Sequence, residues 1–126
     1  MSYQHQIQHT LSTPGGNAGS NNSYSGAQHS GFNDTITQGQ ATTVPNFSVD
    51  VSAMVSLVIK CDRDVVLTFN DDGTPDATVN LLANKPLVWT DDAYFSNPLG
   101  STDITSFKAT LASGDDATLL IDVIFD

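Results

Sequence analysis

Histidine, cysteine and aspartate are the residue types of this chain that could do chemistry. His5 and His9 are four residues apart, which is the spacing of two metal ligands on one helical face, and His29 follows later. Their Gln-rich surroundings and the nearby Pro14 do not indicate a helix, so we interpret these histidines as polar contacts or solvent-facing imidazoles. We predict no metal site and no cofactor.

Cys61 is the single cysteine, which excludes an internal disulfide bond. It lies on the apolar face of a predicted strand, and we expect a buried small residue rather than a reactive thiol. All 14 acidic residues are Asp, and several form adjacent pairs in predicted turns, such as Asp71-Asp72 and Asp91-Asp92. At the end of a strand, two adjacent side chains are directed to opposite sides. This arrangement does not suit acid–base catalysis by such a pair. We predict no catalytic residue and no enzyme activity.

Strands are the elements predicted to position these residues. Residues 54–70 contain two apolar runs with a period of two, Val55, Leu57, Ile59 and Cys61 followed by Val65, Leu67 and Phe69. This period is typical of half-buried strands and not of helices. Because residues 62–64 form a short charged turn, we expect the two strands to be antiparallel neighbours.

The same alternation continues to the end of the chain, with dense turn signals at residues 70–76, 84–86 and 113–116. The first of these turns resembles a calcium loop, but its glycine is misplaced and no Glu closes it. Pro45 limits its segment to a sheet edge or a bulge. About eight short strands predict an all-β fold, a two-layer antiparallel β-sandwich of jelly-roll-like type that covers residues 32–126.

Residues 1–31 differ from the rest because they are rich in Gln, Asn, Ser and Gly. Such a segment buries too little apolar area to offset its conformational entropy, so we predict an extended polar arm, flexible in the free protein. We expect a neighbouring subunit to order it. Its candidate interface anchors are Tyr3, Ile7, Leu11, Tyr24 and Phe32.

The predicted outward face of the sandwich contains several aliphatic side chains. On neighbouring strands they would form a contiguous apolar patch, which usually marks an interface. We therefore predict a self-association or docking surface that includes Val58, Val66, Leu82, Val88, Leu120 and Ile124.

The net charge of −10, with only 4 Lys and Arg residues, disfavours nucleic acid and anionic lipid as partners. No run approaches the roughly 20 apolar residues that span a bilayer. The first ten residues lack the basic start and apolar region of a signal peptide. We therefore expect a soluble protein made in a cytoplasm, with no membrane partner.

Residues 51–126 resemble a family of small phage virion proteins, the capsid decoration or cement proteins. The resemblance rests on DVSA at residues 50–53, LVIKCDRDV at 57–65, DATVNL at 76–81, LVW at 87–89, DITS at 103–106 and the terminal strand at 117–125. It implies a jelly-roll-like sandwich on the outer surface of a phage capsid, made in the host cytoplasm. It also implies a homotrimer or homodimer that binds across major capsid protein subunits. The arm at residues 1–31 lies outside the resemblance.

Two alternatives remain open. One is a module that binds carbohydrate or a host surface through the long connection at residues 91–103, with Trp89, Tyr94 and Phe95 nearby. A sugar site needs exposed aromatic rings and converging polar groups in a concavity, whereas the alternation directs Trp89 into the core. The other alternative is a tail or neck component of the same virion.

Overall fold

Strands make up nearly all of the regular structure in the computed structural model, which describes residues 2–37, 42–111 and 116–126. Of His9, Leu11, Thr13, Asn17 and Thr42 it describes only the backbone. The one helical element in these ranges is a 3-10 turn at Val51–Ala53. The strands are β1 (Tyr3–Thr13), β2 (Gly16–Gly26), β3 (Gln28–Ile36), β4 (Thr42–Val49), β5 (Met54–Cys61), β6 (Val65–Phe69), β7 (Ala77–Leu81), β8 (Leu87–Thr90), β9 (Ile104–Leu111) and β10 (Ala117–Phe125). The all-β prediction is confirmed.

Strands β3 to β10 form two four-stranded antiparallel sheets, in the orders β3-β10-β5-β8 and β4-β9-β6-β7. The chain changes sheet at every connection between them except the one joining β6 to β7. This alternation is the strand order of a jelly roll, so the predicted two-layer sandwich is confirmed. Its first strand begins at Gln28, four residues before the predicted domain boundary at residue 32.

The predicted pairing of the two central strands is wrong. β5 and β6 are joined by residues 62–64, but they lie in different sheets, and β5 pairs with β10 and β8 instead. A short connection permits a hairpin but does not require one. Here Asp62 pairs with Thr118 across the connection, since Asp62 N donates to Thr118 O and Thr118 N donates to Asp62 Oδ1.

The core lies between the two sheets and follows the period-two pattern. Leu57, Ile59 and Cys61 of one sheet and Leu67 and Phe69 of the other are fully buried. Val55 departs from its predicted inward position because the pairing of β5 with β10 shifts between Ile124 and Phe125. Val55 is consequently half-buried, and Met54 and Ser56 on either side of it are buried.

Pro45 lies where its chemistry predicts. β4 is an edge strand, and its pairing with β9 is irregular between Pro45 and Val49. Asn46 has a φ of 61°, in the left-handed region that Asn tolerates better than most residues. The segment is thus both an edge and an irregularity, which are the two places where a strand accepts proline.

The N-terminal segment forms a separate antiparallel ribbon of β1 and β2, which we call the ribbon. Its register runs from Tyr3 opposite Gly26 to Thr13 opposite Gly16, around a turn at Pro14 and Gly15. In the described part of the chain each ribbon strand has only the other as its partner in a sheet. The predicted arm is therefore strand-paired within one chain.

Candidate functional site: the ribbon and the adjoining cleft

One face of the ribbon, which we call the docking face, points toward the outer surface of the β3-β10-β5-β8 sheet. Residues directly opposite each other in an antiparallel pair share a face, and so do residues two apart along a strand. The docking face therefore carries Tyr3, His5 and Ile7 from β1 and Asn22, Tyr24 and Gly26 from β2. We call residues 3–7 and 22–26 the base of the ribbon, and residues 8–21 its tip.

His5 attaches the base to the sandwich through polar contacts. Its Nδ1 is hydrogen-bonded to Ser56 Oγ at 2.6 Å, and its Nε2 lies 3.4 Å from Asp122 Oδ1. His29 Nε2 lies 2.5 Å from the same carboxylate oxygen, and the ring of Tyr3 stacks on the ring of His29 with centroids 4.9 Å apart. Ser56 is fully buried although it lies on the outer face of its sheet, because the ribbon covers it.

The group of Ser56, His5 and Asp122 has the composition of a catalytic triad but not its arrangement. In a triad the serine bonds Nε2 of the histidine, the acid bonds Nδ1, and the hydroxyl is open to substrate. Here the serine bonds Nδ1, Asp122 is shared with His29, and Ser56 has an exposure of 0%. These contacts therefore hold the ribbon on the sheet and present no accessible nucleophile.

Gly26 lets the ribbon backbone approach the sandwich closely. A Cβ atom on this residue would lie 2.7 Å from Ile124 Cγ2 and 2.8 Å from Phe125 O. Ile124 is 1% exposed and pairs with Ser56 across the strands, so the ribbon covers both residues of this pair. Beside them Ala27 N donates to Asp126 Oδ1 at 3.2 Å.

The tip of the ribbon extends beyond this contact. Ala18 and Ser20 occupy the docking face, yet both are exposed, as are Gln8, Thr10 and Ser12 on β1. In the described part of the chain the tip has solvent on both faces and a strand partner on only one edge of each strand. Residues 1–33 contain no Asp, Glu, Lys or Arg, so the charge of the protein lies on the sandwich.

The predicted interface anchors of the arm have separate outcomes. Tyr3, Ile7 and Tyr24 lie at the base of the ribbon, where they face the sandwich of the same chain. Phe32 belongs to β3, packs against the core and meets Phe107 edge to face at 5.2 Å, so its assignment to the arm is wrong. The side chain of Leu11 lies outside the described part of the chain. An external partner stays a prediction for the tip alone.

The predicted outward apolar patch is divided between different surfaces. Val58, Val88, Leu120 and Ile124 belong to the ribbon-covered sheet, and Val58 pairs with Val88. Val66 lies on the opposite sheet, and Leu82 follows the end of β7 with 61% of its surface exposed. Ile124 is buried and therefore cannot meet an external partner while the ribbon is docked. Val58, Val88 and Leu120 thus lie on neighbouring strands of one sheet, Val66 and Leu82 lie elsewhere, and the use of these residues as an interface stays a prediction.

A cleft of about 510 Å³ separates the base of the ribbon from β8 and the connection at residues 91–103. The ribbon contributes Ile7, Asn22 and Tyr24 to its lining, and β8 and the connection contribute Val88, Thr90, Asp92, Ala93, Tyr94 and Phe95. Tyr94 is fully exposed and Phe95 is 54% exposed. The cleft therefore combines accessible aromatic rings with an amide, a hydroxyl and a carboxylate.

Asp92 joins the two walls of the cleft. Thr90 Oγ1 donates to Asp92 Oδ1 at 2.6 Å, and the Tyr24 hydroxyl donates to the two carboxylate oxygens at 3.2 and 3.3 Å. The hydrogen bond from Thr90, and to a lesser extent the one from Tyr24, lowers the pKa of Asp92 below its ordinary value. Asp92 is consequently a carboxylate at neutral pH and links the ribbon to the sandwich.

Trp89 is connected to the lining of the cleft through Phe95. It is buried, as its alternation predicts, and its Nε1 donates to Phe95 O at 3.1 Å. Sequence reasoning identified Trp89, Tyr94 and Phe95 but missed Asn22, Thr90 and Asp92. The sequence does contain a signal for the ribbon. Pro14 and Gly15 form a turn midway through the N-terminal segment, and Tyr3, His5 and Ile7 alternate with polar residues before it. Together these two features predict a hairpin.

The other candidate groups for chemistry have structural environments. Cys61 is fully buried, as predicted, and burial raises the pKa of its thiol. Asp71 accepts hydrogen bonds from Gly73 N at 3.0 Å and Thr68 Oγ1 at 3.1 Å, which lower its pKa and fix the turn at residues 70–76. Among the described residues no group of three or more His, Cys, Asp or Glu side chains is arranged to hold a metal ion.

Comparisons with known proteins do not identify a relative: no family model, no curated protein and no solved structure matches the chain. No helix among the described residues is long and apolar enough to cross a membrane.

Proposed function

We propose that this protein is a structural virion protein that decorates and stabilises a phage capsid by binding across major capsid protein subunits. The observation that carries the proposal is the tip of the ribbon, which contains no Asp, Glu, Lys or Arg and whose described residues are all exposed to solvent. The resemblance of residues 51–126 to decoration proteins supports the choice of a phage capsid as the assembly.

The tip of the ribbon has little stability of its own. A two-stranded ribbon is marginally stable in water unless one of its faces packs against something else. The base packs against the sandwich, whereas the exposed Thr10, Ser12, Ala18 and Ser20 leave the tip with little apolar burial. A tip about 20 Å long therefore gains most of its order from a partner surface.

The chemistry of the tip suits a protein partner. Among the described residues its outer strand edges have no strand partner, and such edges can extend a sheet of another chain. Because residues 1–33 contain no Asp, Glu, Lys or Arg, none of these charged side chains is desolvated when the ribbon is covered, and charged residues are depleted in the cores of interfaces. The acidic sandwich remains at the rim of such a contact.

Capsid decoration is consistent with weak individual contacts. A standard specific interface buries about 1,600 Å² in total, and the ribbon offers part of such an area. If the protein is a trimer or a dimer, several ribbons bind the same particle, and the effective concentration of the second and third contacts increases overall affinity. The expected partners are the major capsid protein and further copies of this chain.

A ribbon-shortening variant tests the proposal. Residues 9–20 are replaced by Asn-Gly, which connects the paired residues Gln8 and Asn21 through a two-residue turn and preserves the base. We expect the variant to fold with the thermal stability of the parent but to be lost from purified phage particles. The matched control is Tyr94→Ala, which alters the cleft and not the ribbon and should remain on the particles.

A density map of particles that carry the full chain provides the second readout. We expect the sandwich on the outer capsid surface, with the ribbon against major capsid protein. Density at the tail or neck would contradict the capsid location, and full retention of the shortened variant would contradict attachment through the tip.

A further inference from the structure

We propose that the cleft between the base of the ribbon and residues 91–103 binds a neutral carbohydrate. Attachment through the tip does not depend on this site, so the two proposals stand or fall separately. The inference rests on the size, lining and charge of the cleft.

The volume and lining suit a small amphipathic ligand. At about 510 Å³ the cleft falls within the ordinary range of ligand pockets, roughly 300–1,000 Å³. Tyr94 and Phe95 present exposed rings on one side. The faces of aromatic rings carry negative charge density, which attracts the positively polarised C–H groups on the apolar side of a sugar ring.

Polar groups from both walls line the same cleft. Asn22 brings an amide that both donates and accepts, and the Thr90 hydroxyl, which donates to Asp92, can still accept. Each Asp92 oxygen has accepting capacity beyond its bond from Tyr24. Sugar hydroxyls are both donors and acceptors, so they match this mixture of groups.

Charge distinguishes a neutral sugar from other small ligands. Asp92 and the net charge of −10 disfavour phosphates, sulfates and acidic sugars. An organic cation would benefit from the aromatic rings and from Asp92, but it would leave the amide and hydroxyl groups of Asn22 and Thr90 unmatched. A neutral carbohydrate uses the aromatic and the polar parts of the lining together.

The position of Trp89 provides a direct assay. It is the single tryptophan, and its indole donates to Phe95 O, so movement of Phe95 alters its fluorescence and its indole N–H resonance. The full chain is titrated with di- and trisaccharides of glucose, galactose, mannose and N-acetylglucosamine, and separately with choline and sialyllactose. We expect saturable changes with at least one of the neutral sugars and none with choline or sialyllactose.

Variants localise the binding. Tyr94→Ala removes an exposed ring that has no role in the core, and we expect it to weaken binding of the responding neutral sugar about tenfold. Asn22→Ala tests the ribbon wall and should also weaken binding. Leu82→Ala, an exposed position outside the cleft, is the control and should bind like the parent.

The outcomes are decisive in both directions. Neutral-sugar binding that is weakened by Tyr94→Ala and unchanged by Leu82→Ala supports the site. The proposal is overturned by the absence of any response to neutral sugars up to about 10 mM, by a preference for choline or sialyllactose, or by sugar binding that ignores Tyr94→Ala.

Discussion

The base and the tip of the ribbon have the same strands and similar composition, yet they differ in what surrounds them. At the base Gly26 is buried and His5, Ile7 and Tyr24 are half-buried, because the outer face of a sheet lies beneath them. At the tip Ala18 and Ser20 continue the same face and are exposed. Strand pairing alone therefore does not bury this polar sequence, and its contacts with another surface determine its stability.

The largest expected effect comes from Gly26→Ala, which tests whether close approach holds the base. The added methyl group would lie 2.7 Å from Ile124 Cγ2 and 2.8 Å from the carbonyl oxygen of Phe125, so ribbon and sheet must separate. We expect a loss of about 1–3 kcal/mol in docking, measured by hydrogen exchange of the amides in residues 3–7 and 22–26.

A matched pair of variants sharpens this result. Ser20→Ala, on the same face at the tip, should leave exchange at the base unchanged. Adding Ile124→Ala to Gly26→Ala should restore only part of the protection, because the contact with the Phe125 carbonyl oxygen remains. Unchanged protection in Gly26→Ala would show that the base is not docked as described.

The next largest effect is expected for His5→Ala. This change removes the hydrogen bond of 2.6 Å between His5 Nδ1 and the buried Ser56 hydroxyl. It also removes the contact of His5 Nε2 with Asp122 Oδ1. We expect about 1 kcal/mol of weaker docking, since a net hydrogen bond contributes that amount. The double variant with Ser56→Ala should cost less than the sum of the single changes, measured as a coupling energy by hydrogen exchange. Additive costs would contradict a direct bond.

How far the sequence predicts the fold depends on which contacts each pattern encodes. The period of two from Leu57 to Phe69 reports which side chains are buried, and those residues are buried as expected. It does not report which strand lies alongside, so β5 and β6 were paired incorrectly. The connection at residues 62–64 crosses between sheets and is as short as a hairpin turn, and a one-dimensional pattern does not distinguish the two.

The candidate site was harder to predict because it forms from distant segments. Tyr24 and Asp92 are 68 residues apart, and His5 and Ser56 are 51 apart. The composition of residues 1–31 identifies a polar, uncharged segment. An unpaired arm would have the same composition as a ribbon, so composition does not distinguish the two. Ile124 was assigned to an external interface because its outward direction is visible in the sequence, whereas the ribbon that covers it is not.

A smaller effect is expected from the bond between Tyr24 and Asp92, and it depends on pH. The pKa of Asp92 is lowered in the folded protein, by Thr90 first and then by Tyr24. The stabilisation is therefore complete above the ordinary Asp value of about 3.9 and is lost as the pH falls through the lower folded value. We expect faster amide exchange at the base at pH about 3 than at pH about 5, after correction for the intrinsic rates.

Tyr24→Phe tests the assignment of this acid dependence, since it keeps the ring and removes the hydroxyl. We expect slightly weaker docking at neutral pH and a smaller change between the two pH values than in the parent. An identical acid response in the variant would assign the dependence to other carboxylates.

The smallest effect on stability, and the sharpest contrast with the base, is expected for Thr10→Ala at the tip. The Thr10 side chain is exposed, and a surface change of this kind alters the free energy of unfolding by no more than about 0.5 kcal/mol. Amide exchange of residues 8–21 should be fast in both proteins when they are free in solution, because the tip has little packing to lose. In the presence of capsid particles those amides should become protected while the base changes little. Strong protection of the tip in the isolated protein would mean that base and tip are equally stable, and it would remove the physical reason for assigning the tip to a partner.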